Sequence, residues 1–200
     1  MNENLINKLA EQKILPIIRR KDPNEVIETV NALVKGGIRI VEINVESPEI
    51  YSAIKKVSDK VTVCAGGIIT SIQANAAILA GAKLLSSPIF HMNLVKLAKD
   101  KHIPYIAGTS TANEAYQAWK ARVPLIKIYP ITAMGGVSYV ENLLRPMPFL
   151  NVLPQGNVKL SEVKDYINAG CSVVGVGRDL FANCSYDEIT QKAERFLKEL

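Results

Sequence analysis

Three charged residues interrupt or end apolar runs that otherwise have the pattern of buried strands. Glu42 lies inside the run IRIVEINV, Lys127 lies inside PLIKIYP, and Arg19 ends ILPIIR. Burying a lone charge is costly unless a partner or a proton neutralises it. Two interpretations are therefore open: Glu42 and Lys127 form a structural ion pair with each other, or they act together on a substrate.

The second interpretation corresponds to a definite chemistry. Desolvation disfavours the charged ammonium of a lysine in a dry, apolar interior, and a neutral amine can attack a ketone to form a Schiff base. A neighbouring carboxylate can carry protons to and from the carbinolamine, and an arginine can bind a carboxylate through paired hydrogen bonds. Lys127, Glu42 and Arg19 together therefore indicate imine chemistry on a keto acid. The imine itself accepts the electrons in such a reaction, so no cofactor is expected.

The composition of the chain argues against several other classes of protein. Of its 200 residues, 48% are hydrophobic and 22% are charged. These values are typical of a globular protein, and we expect a single domain over residues 1–200. No apolar run has the ~18–20 residues that a membrane span needs, and the N-terminus lacks the apolar core of a signal peptide. No membrane partner is therefore expected.

Charge and cysteine content narrow the partners and the location. The formal net charge is +5, but the basic residues are scattered and only 6% of the residues are aromatic. We therefore expect no nucleic-acid partner and a preference for small anionic metabolites. The three cysteines have no CxxC spacing and fit a reducing cytoplasm. The two histidines lack partners at metal-ligand spacing, so no metal site is expected.

The elements that must position these residues follow a repeat. Eight short runs rich in Val, Ile and Leu begin 20 to 24 residues apart, and each interval holds one amphipathic stretch and two short loops. This is a βα repeat. Its strands are apolar on both faces, which indicates a parallel sheet covered by helices. Eight such units predict a (β/α)8 TIM barrel of the α/β class, with an extra helix over residues 4–12. An open doubly wound sheet is the alternative.

Capping signals predict where several helices begin. A cap residue followed by proline, or by a glutamate three residues later, is typical of a helix N-terminus. The predicted starts lie at Asp22, Ser47, Thr70, Thr111, Ser161 and Ser185, and the last of these helices extends to Leu200.

Eight segments, in order along the chain, resemble a known family. They are ILPIIR, LVKGGIRIVEINVESPE, CAGGIIT, LAGAKLLSSP, IPYIAGTSTANE, LIKIYP, NVLPQGNV and AGCSVVGVGRDLF. Together they are similar to the class I aldolases that cleave 2-keto-3-deoxy-6-phosphogluconate and 4-hydroxy-2-oxoglutarate. The resemblance implies a lyase that splits a 2-keto-3-deoxy sugar acid into pyruvate and an aldehyde. It also implies a homotrimer.

The same resemblance assigns roles to individual residues. It implies Lys127 as the Schiff-base lysine, Glu42 as the acid/base, and Arg19 as the contact to the substrate carboxylate. Pro88 would line the pocket beside the imine, and Tyr129 matches an aromatic position next to the lysine.

The chain also departs from the family pattern. Gly67 replaces a threonine that helps to hold the keto acid, and Glu46 occupies a position where some members carry an arginine. These two departures affect the part of the site that holds the keto-acid end of the substrate.

The remaining departures concern the far end of the substrate, where a barrel of this kind binds phosphate. Gln155 and Gly156 stand where the family has Thr-Gly-Gly, and Arg178 follows Gly175 and Gly177 in place of a small residue. Glycines let the backbone approach an anion, and an arginine adds a charged donor. We expect a modified phosphate or carboxylate site there, with Gln155 as a polar contact.

Two other functions remain open on the sequence alone. The departures are compatible with a non-catalytic or repurposed barrel that binds a sugar acid. A phosphosugar isomerase or epimerase of the same architecture would use acid/base residues without an imine.

Overall fold

The computed structural model describes residues 2–199 and contains eight parallel strands that alternate with helices. The strands are β1 (Ile14–Ile18), β2 (Ile40–Asn44), β3 (Thr62–Gly66), β4 (Leu84–Ser86), β5 (Tyr105–Thr109), β6 (Leu125–Ile128), β7 (Val152–Pro154) and β8 (Val174–Val176). They pair in the order β7-β6-β5-β4-β3-β2-β1-β8, and a parallel bridge from Gln155 to Gly175 joins the two ends. The predicted TIM barrel is therefore confirmed, and the open sheet is excluded.

Helices surround the strands. They are α1 (Asn2–Gln12), α2 (Pro23–Lys35), α3 (Ile50–Val57), α4 (Ser71–Leu79), α5 (Met92–Asp100), α6 (Ala112–Lys120), α7 (Ile131–Met134), α8 (Val137–Leu144), α9 (Val163–Asn168), α10 (Arg178–Phe181) and α11 (Tyr186–Glu199). A 3₁₀ turn at Leu160–Glu162 precedes α9. Within the described residues, no helix is long and apolar enough to cross a membrane.

Most of the predicted helix starts agree with the structure. The side chain of Asp22 caps α2, and Thr70 and Thr111 form full capping boxes with the residues three positions later. The last helix begins at Tyr186, and Leu200, like Met1, lies outside the described residues.

Two predicted starts were wrong because a tight turn precedes the helix. Ser47 begins a turn in which its carbonyl accepts from the amide of Ile50, where α3 starts. Ser161 lies inside the 3₁₀ turn before α9, and the amide of Leu160 is capped by the carboxylate of Asp179 instead.

The barrel interior has two layers because alternate residues of each strand point inward. The lower layer, at the N-terminal ends of the strands, is an apolar cluster closed from below by Ile6 and Leu9 of α1. Its other members are Leu15, Ile40, Cys64, Leu84, Ile106, Leu125 and Leu153 of the strands and Val173, which directly precedes β8. The upper layer begins two residues further along each strand, and it is there that the polar residues lie.

Candidate active site

Lys127 and Glu42 meet inside the barrel from opposite walls. They project from the middle of β6 and β2, which are four strands apart in the ring in either direction. Lys127 Nζ donates to Glu42 Oε2 at 3.2 Å and to Oε1 at 3.3 Å, and the two side chains are only 3% and 1% exposed. Each charge offsets the desolvation cost of the other, so removing one partner leaves a buried charge unpaired.

Arg19 reaches this pair through Asn44, a residue that the sequence patterns did not predict. The neighbours of the buried Asn44 amide fix its orientation, with nitrogen toward Glu42 and oxygen toward Arg19. In this orientation the nitrogen donates to Glu42 Oε1 at 3.2 Å, and the oxygen accepts from Arg19 Nε at 2.9 Å and Nη2 at 2.8 Å. Arg19 Nε also lies 3.3 Å from Glu46 Oε1. Asn44 shares the inward face of β2 with Glu42, so the two-residue period of a strand was the signal that could have found it.

Gly66, on the neighbouring strand β3, provides the space that these side chains occupy. It pairs with Asn44 in the sheet register. A Cβ at position 66 would lie 2.5 Å from Glu42 Oε1 and would overlap the Asn44 amide. A side chain at position 66 would therefore displace both Glu42 and Asn44.

A small inner cavity of about 50 Å³ opens above the lysine. All of the residues predicted to react with or contact the keto-acid end of the substrate line it, together with Asn44 and Gln155. They are Arg19, Glu42, Asn44, Gly67, Pro88, Lys127, Tyr129 and Gln155. The structure therefore brings these residues together, although their roles in catalysis and binding remain predictions.

A larger outer cavity of about 430 Å³ adjoins the inner one and shares Arg19, Tyr129 and Gln155 with it. The residues predicted to hold the far end of the substrate line this second cavity. They are Gln155, Gly156, Gly175, Gly177 and Arg178. Arg20 also lines it and was not singled out from the sequence, because a charged residue in a loop has no distinguishing pattern.

Gln155, which lines both cavities, has an unpaired buried oxygen. Its side chain is buried, and Oε1 accepts no hydrogen bond from the described residues. A buried acceptor without a donor costs free energy, and such a group is an exception in folded proteins. A donor on a bound ligand would satisfy this oxygen.

Cys64 lies on β3 opposite Glu42 in the sheet register. Burial raises the pKa of the Cys64 thiol well above its usual value, and the negative charge of Glu42 raises it further, while Lys127 lowers it. The thiol is therefore neutral and belongs to the floor of the site. No cluster of three or more His, Cys, Asp or Glu side chains between residues 2 and 199 could hold a metal ion.

The buried amine, the carboxylate and the arginine lie at the C-terminal ends of the strands, where TIM-barrel enzymes have their active sites. Comparison with known proteins narrows the class of enzyme to the aldolases, which are carbon–carbon lyases. The model of the family described as "Aldolase: KDPG and KHG aldolase" matches residues 5–193. The chain belongs to the KDPG and KHG aldolase family, as the sequence resemblance predicted.

Curated relatives match almost the whole chain. The 2-dehydro-3-deoxy-phosphogluconate aldolase of Haemophilus influenzae is 27% identical over 196 residues, which cover 94% of this chain and 92% of the relative. The 2-dehydro-3-deoxy-6-phosphogalactonate aldolase of Escherichia coli K12 is 29% identical over 191 residues, which cover 92% and 93%.

Solved structures agree with this assignment. A structure described as native KDPGal aligns with a TM-score of 0.84 at 29% identity and covers 92% of each chain. The 2-keto-3-deoxy-6-phospho-gluconate aldolase of Zymomonas mobilis aligns with a TM-score of 0.88, covering 97% of this chain and 95% of the other. At 21% identity, the second alignment supports the fold alone.

Proposed function

We propose that the protein is a class I aldolase that cleaves a 2-keto-3-deoxy sugar acid into pyruvate and an aldehyde. The observation that carries the proposal is the buried Lys127–Glu42 pair beneath a cavity, in a chain of the KDPG and KHG aldolase family. The curated relatives act on phosphorylated sugar acids according to their names. We therefore propose a 6-phosphorylated substrate.

In the proposed reaction, Glu42 first takes a proton from Lys127, and the neutral amine attacks C2 of the keto acid. Glu42 then protonates the carbinolamine oxygen, so that water leaves and an iminium forms. The Glu42 carboxylate next removes the proton of the C4 hydroxyl. As the C3–C4 bond breaks, its electrons pass to the iminium as an enamine and the aldehyde departs. Glu42 protonates C3, and water hydrolyses the imine to release pyruvate.

The two cavities suggest how the substrate is held. Arg19 binds the carboxylate at C1, while Gly67, Pro88 and Tyr129 line the space around the imine. The unpaired oxygen of Gln155 accepts from a substrate hydroxyl at the junction of the cavities.

The far end of the substrate occupies the outer cavity. Gly156, Gly175 and Gly177 allow the backbone to approach a phosphate, and Arg20 and Arg178 supply positive charge. Arg20 is partly engaged, since its Nη1 lies 3.8 Å from a carboxylate oxygen of Glu25.

Reduction with borohydride tests the imine directly. Incubation with pyruvate and borohydride should attach one reduced adduct per chain, and peptide mapping should place it on Lys127. The Lys127→Arg variant should give no adduct. An adduct on another lysine, or none, would contradict the mechanism.

Turnover separates an aldolase from the two alternatives. Pyruvate release should be detected with 2-keto-3-deoxy-6-phosphogluconate, its galactonate epimer or 4-hydroxy-2-oxoglutarate. Binding without pyruvate release would favour a repurposed binder. Isomerase activity that survives Lys127→Arg would favour the isomerase.

We also propose that the protein is a homotrimer that works in the cytoplasm. Ile72 and Leu79, two turns apart on one side of α4, are 83% and 87% exposed. A cage designed by fusing symmetric oligomeric domains aligns with a TM-score of 0.84 at 29% identity, covering 93% of this chain and 71% of the cage chain. The three cysteines are free thiols, which suits a reducing compartment.

Light scattering tests the assembly. The mass of the wild-type protein should be three times that of the chain, and Ile72→Glu combined with Leu79→Glu should reduce it to that of one chain. A monomeric wild type would overturn the trimer, and an unchanged mass in the variant would overturn the proposed contact face.

A further inference from the structure

Asn44 is the only side chain in the described structure that joins Arg19 to Glu42. Its nitrogen donates to Glu42 Oε1, and its oxygen accepts two hydrogen bonds from Arg19. An amide offers both a donor and an acceptor on one rigid plane, whereas a carboxylate would offer acceptors alone and an apolar side chain neither. The residue type at position 44 therefore matches its two neighbours.

The surroundings hold this amide in place. Asn44 is 3% exposed, and it and Glu42 both extend into the space that a side chain at Gly66 would occupy. Glu46 contacts Arg19 Nε from the outer side. Arg19 thus has Nε and one N–H of Nη2 engaged, and Nη1 and the second N–H of Nη2 are left for a ligand.

We propose that Asn44 is a positioning residue that holds Arg19 and Glu42 in a fixed relation, so that a substrate carboxylate bound at Arg19 presents its reacting carbons to Glu42. The proposal rests on the aldolase function proposed above. It also distinguishes the two oxygens of Glu42. Oε1 receives both Asn44 and Lys127, whereas Oε2 receives Lys127 alone. Oε2 is therefore the oxygen that exchanges the proton.

Removing the amide has consequences at both of its ends. Without the acceptor, Arg19 loses two hydrogen bonds, so that the substrate carboxylate is held less firmly and KM rises. Without the donor, Glu42 loses the hydrogen bond that holds its carboxylate toward the substrate, so kcat falls. The ionisable groups that face Glu42 are Lys127 from β6 and the neutral Cys64 from β3. Arg19, which directly follows β1, lies on the other side of the Asn44 amide. Tyr129 lines the same cavity.

Two substitutions separate the two ends of the amide. Asn44→Asp keeps an acceptor for Arg19 but loses the donor to Glu42, so kcat should fall about 100-fold while KM stays within about 3-fold of wild type. Asn44→Leu loses both groups, so kcat should fall to a similar extent and KM should also rise about 10-fold.

Asn151 provides a matched control at the opposite end of the barrel. Its amide donates to the carbonyl of Pro124 and accepts from the hydroxyl of Ser172, so it also bridges neighbouring elements. Asn151→Asp should leave kcat and KM unchanged. Rates are normalised to the fraction of folded chains, which removes any contribution from misfolded protein.

The outcomes distinguish the two proposals. If the wild-type protein neither forms the adduct nor releases pyruvate, the aldolase function fails and the role of Asn44 fails with it. If the wild type is active and Asn44→Asp retains wild-type kcat per folded chain, only the role of Asn44 is overturned. Equal increases of KM in Asn44→Asp and Asn44→Leu would also overturn it, because the acceptor would then be irrelevant to Arg19.

Discussion

The two layers of the barrel interior come from the same strands and differ in almost every property. Ile40 and Leu125 lie in the lower layer, and Glu42 and Lys127 lie two residues further along the same strands. The lower layer is apolar and closed by α1, so it gives the upper layer a dry floor. A single step of the strand period therefore separates the part of the interior that stabilises the barrel from the part that holds charge.

Two glutamines at opposite ends of the barrel differ in how fully their side-chain amides are hydrogen-bonded. The Gln12 amide donates to the carbonyls of Ile14 and Ile40 and accepts from the amides of Arg39 and Ile40, so its hydrogen-bonding groups are fully used. Gln155 has a buried oxygen that accepts no hydrogen bond from any described residue. The protein satisfies the hydrogen-bonding groups of the first glutamine itself, and it leaves one acceptor of the second unused.

The largest expected effect is the loss of catalysis when the amine of Lys127 is removed from the upper layer. Lys127→Ala should reduce turnover on the order of 10⁴-fold or more, because no imine can form. Leu125→Ala is the control from the lower layer of the same strand. It should lower the free energy of unfolding by about 2–5 kcal/mol and leave kcat per folded chain unchanged. Pyruvate-release assays and denaturant unfolding measure the two. If both variants lost turnover per folded chain, the division between the layers would be wrong.

A methyl group at position 66 should move the side chains of the upper layer without removing any of the charged or polar groups there. Gly66→Ala should lower kcat/KM on the order of 10²-fold, because the new Cβ displaces Glu42 and Asn44. Gly36→Ala is a matched clash far from the site, where the Cβ would lie 2.7 Å from Ala193 Cβ. Both variants should lose about 1–3 kcal/mol of stability, but only the first should lose activity per folded chain. Equal kinetic losses would refute the steric role of Gly66.

A smaller effect is expected when the two glutamines are exchanged for leucine. Gln155→Leu removes an unpaired acceptor, so stability should change by less than about 1 kcal/mol while KM rises about 10-fold. Gln12→Leu leaves four backbone hydrogen bonds unmade and should cost about 2–4 kcal/mol without changing KM. Unfolding curves and steady-state kinetics distinguish the two. A KM unchanged by Gln155→Leu would exclude the proposed contact with a substrate hydroxyl.

The sequence predicts the barrel and the reacting pair for a physical reason. Glu42 and Lys127 stand out because a charge inside an apolar strand is expensive, and the repeat of strands and helices defines the fold. Asn44 and Gly66 carry no such signal, since an asparagine or a glycine at the end of a strand is common. Their importance depends on which residues are neighbours in the folded barrel.

Interactions between residues that are distant in the sequence set a second limit on prediction. Thr70 and Thr111 cap helices as predicted because their partners lie three residues away. Ser161 does not, because Asp179, which is 18 residues later in the chain, caps the preceding turn. The unpaired oxygen of Gln155 is a property of its neighbours in space, so the sequence shows the residue but not its unsatisfied state.

The smallest effect expected concerns the thiols, which test whether the floor of the site excludes solvent. Burial raises the pKa of Cys171 to about 12 and that of Cys64 well above its usual value. A thiol whose pKa is raised stays protonated at pH 8 and reacts slowly with alkylating agents. Cys184 is only half-buried, so iodoacetamide should modify it alone in the folded protein, with little change in the rate of pyruvate release. Peptide mapping identifies the modified residue, and the same reaction in denaturant should label all three. Labelling of Cys64 in the folded protein would show that water reaches the lower layer beneath Glu42. The division into a water-free lower layer and a polar upper layer would then not hold.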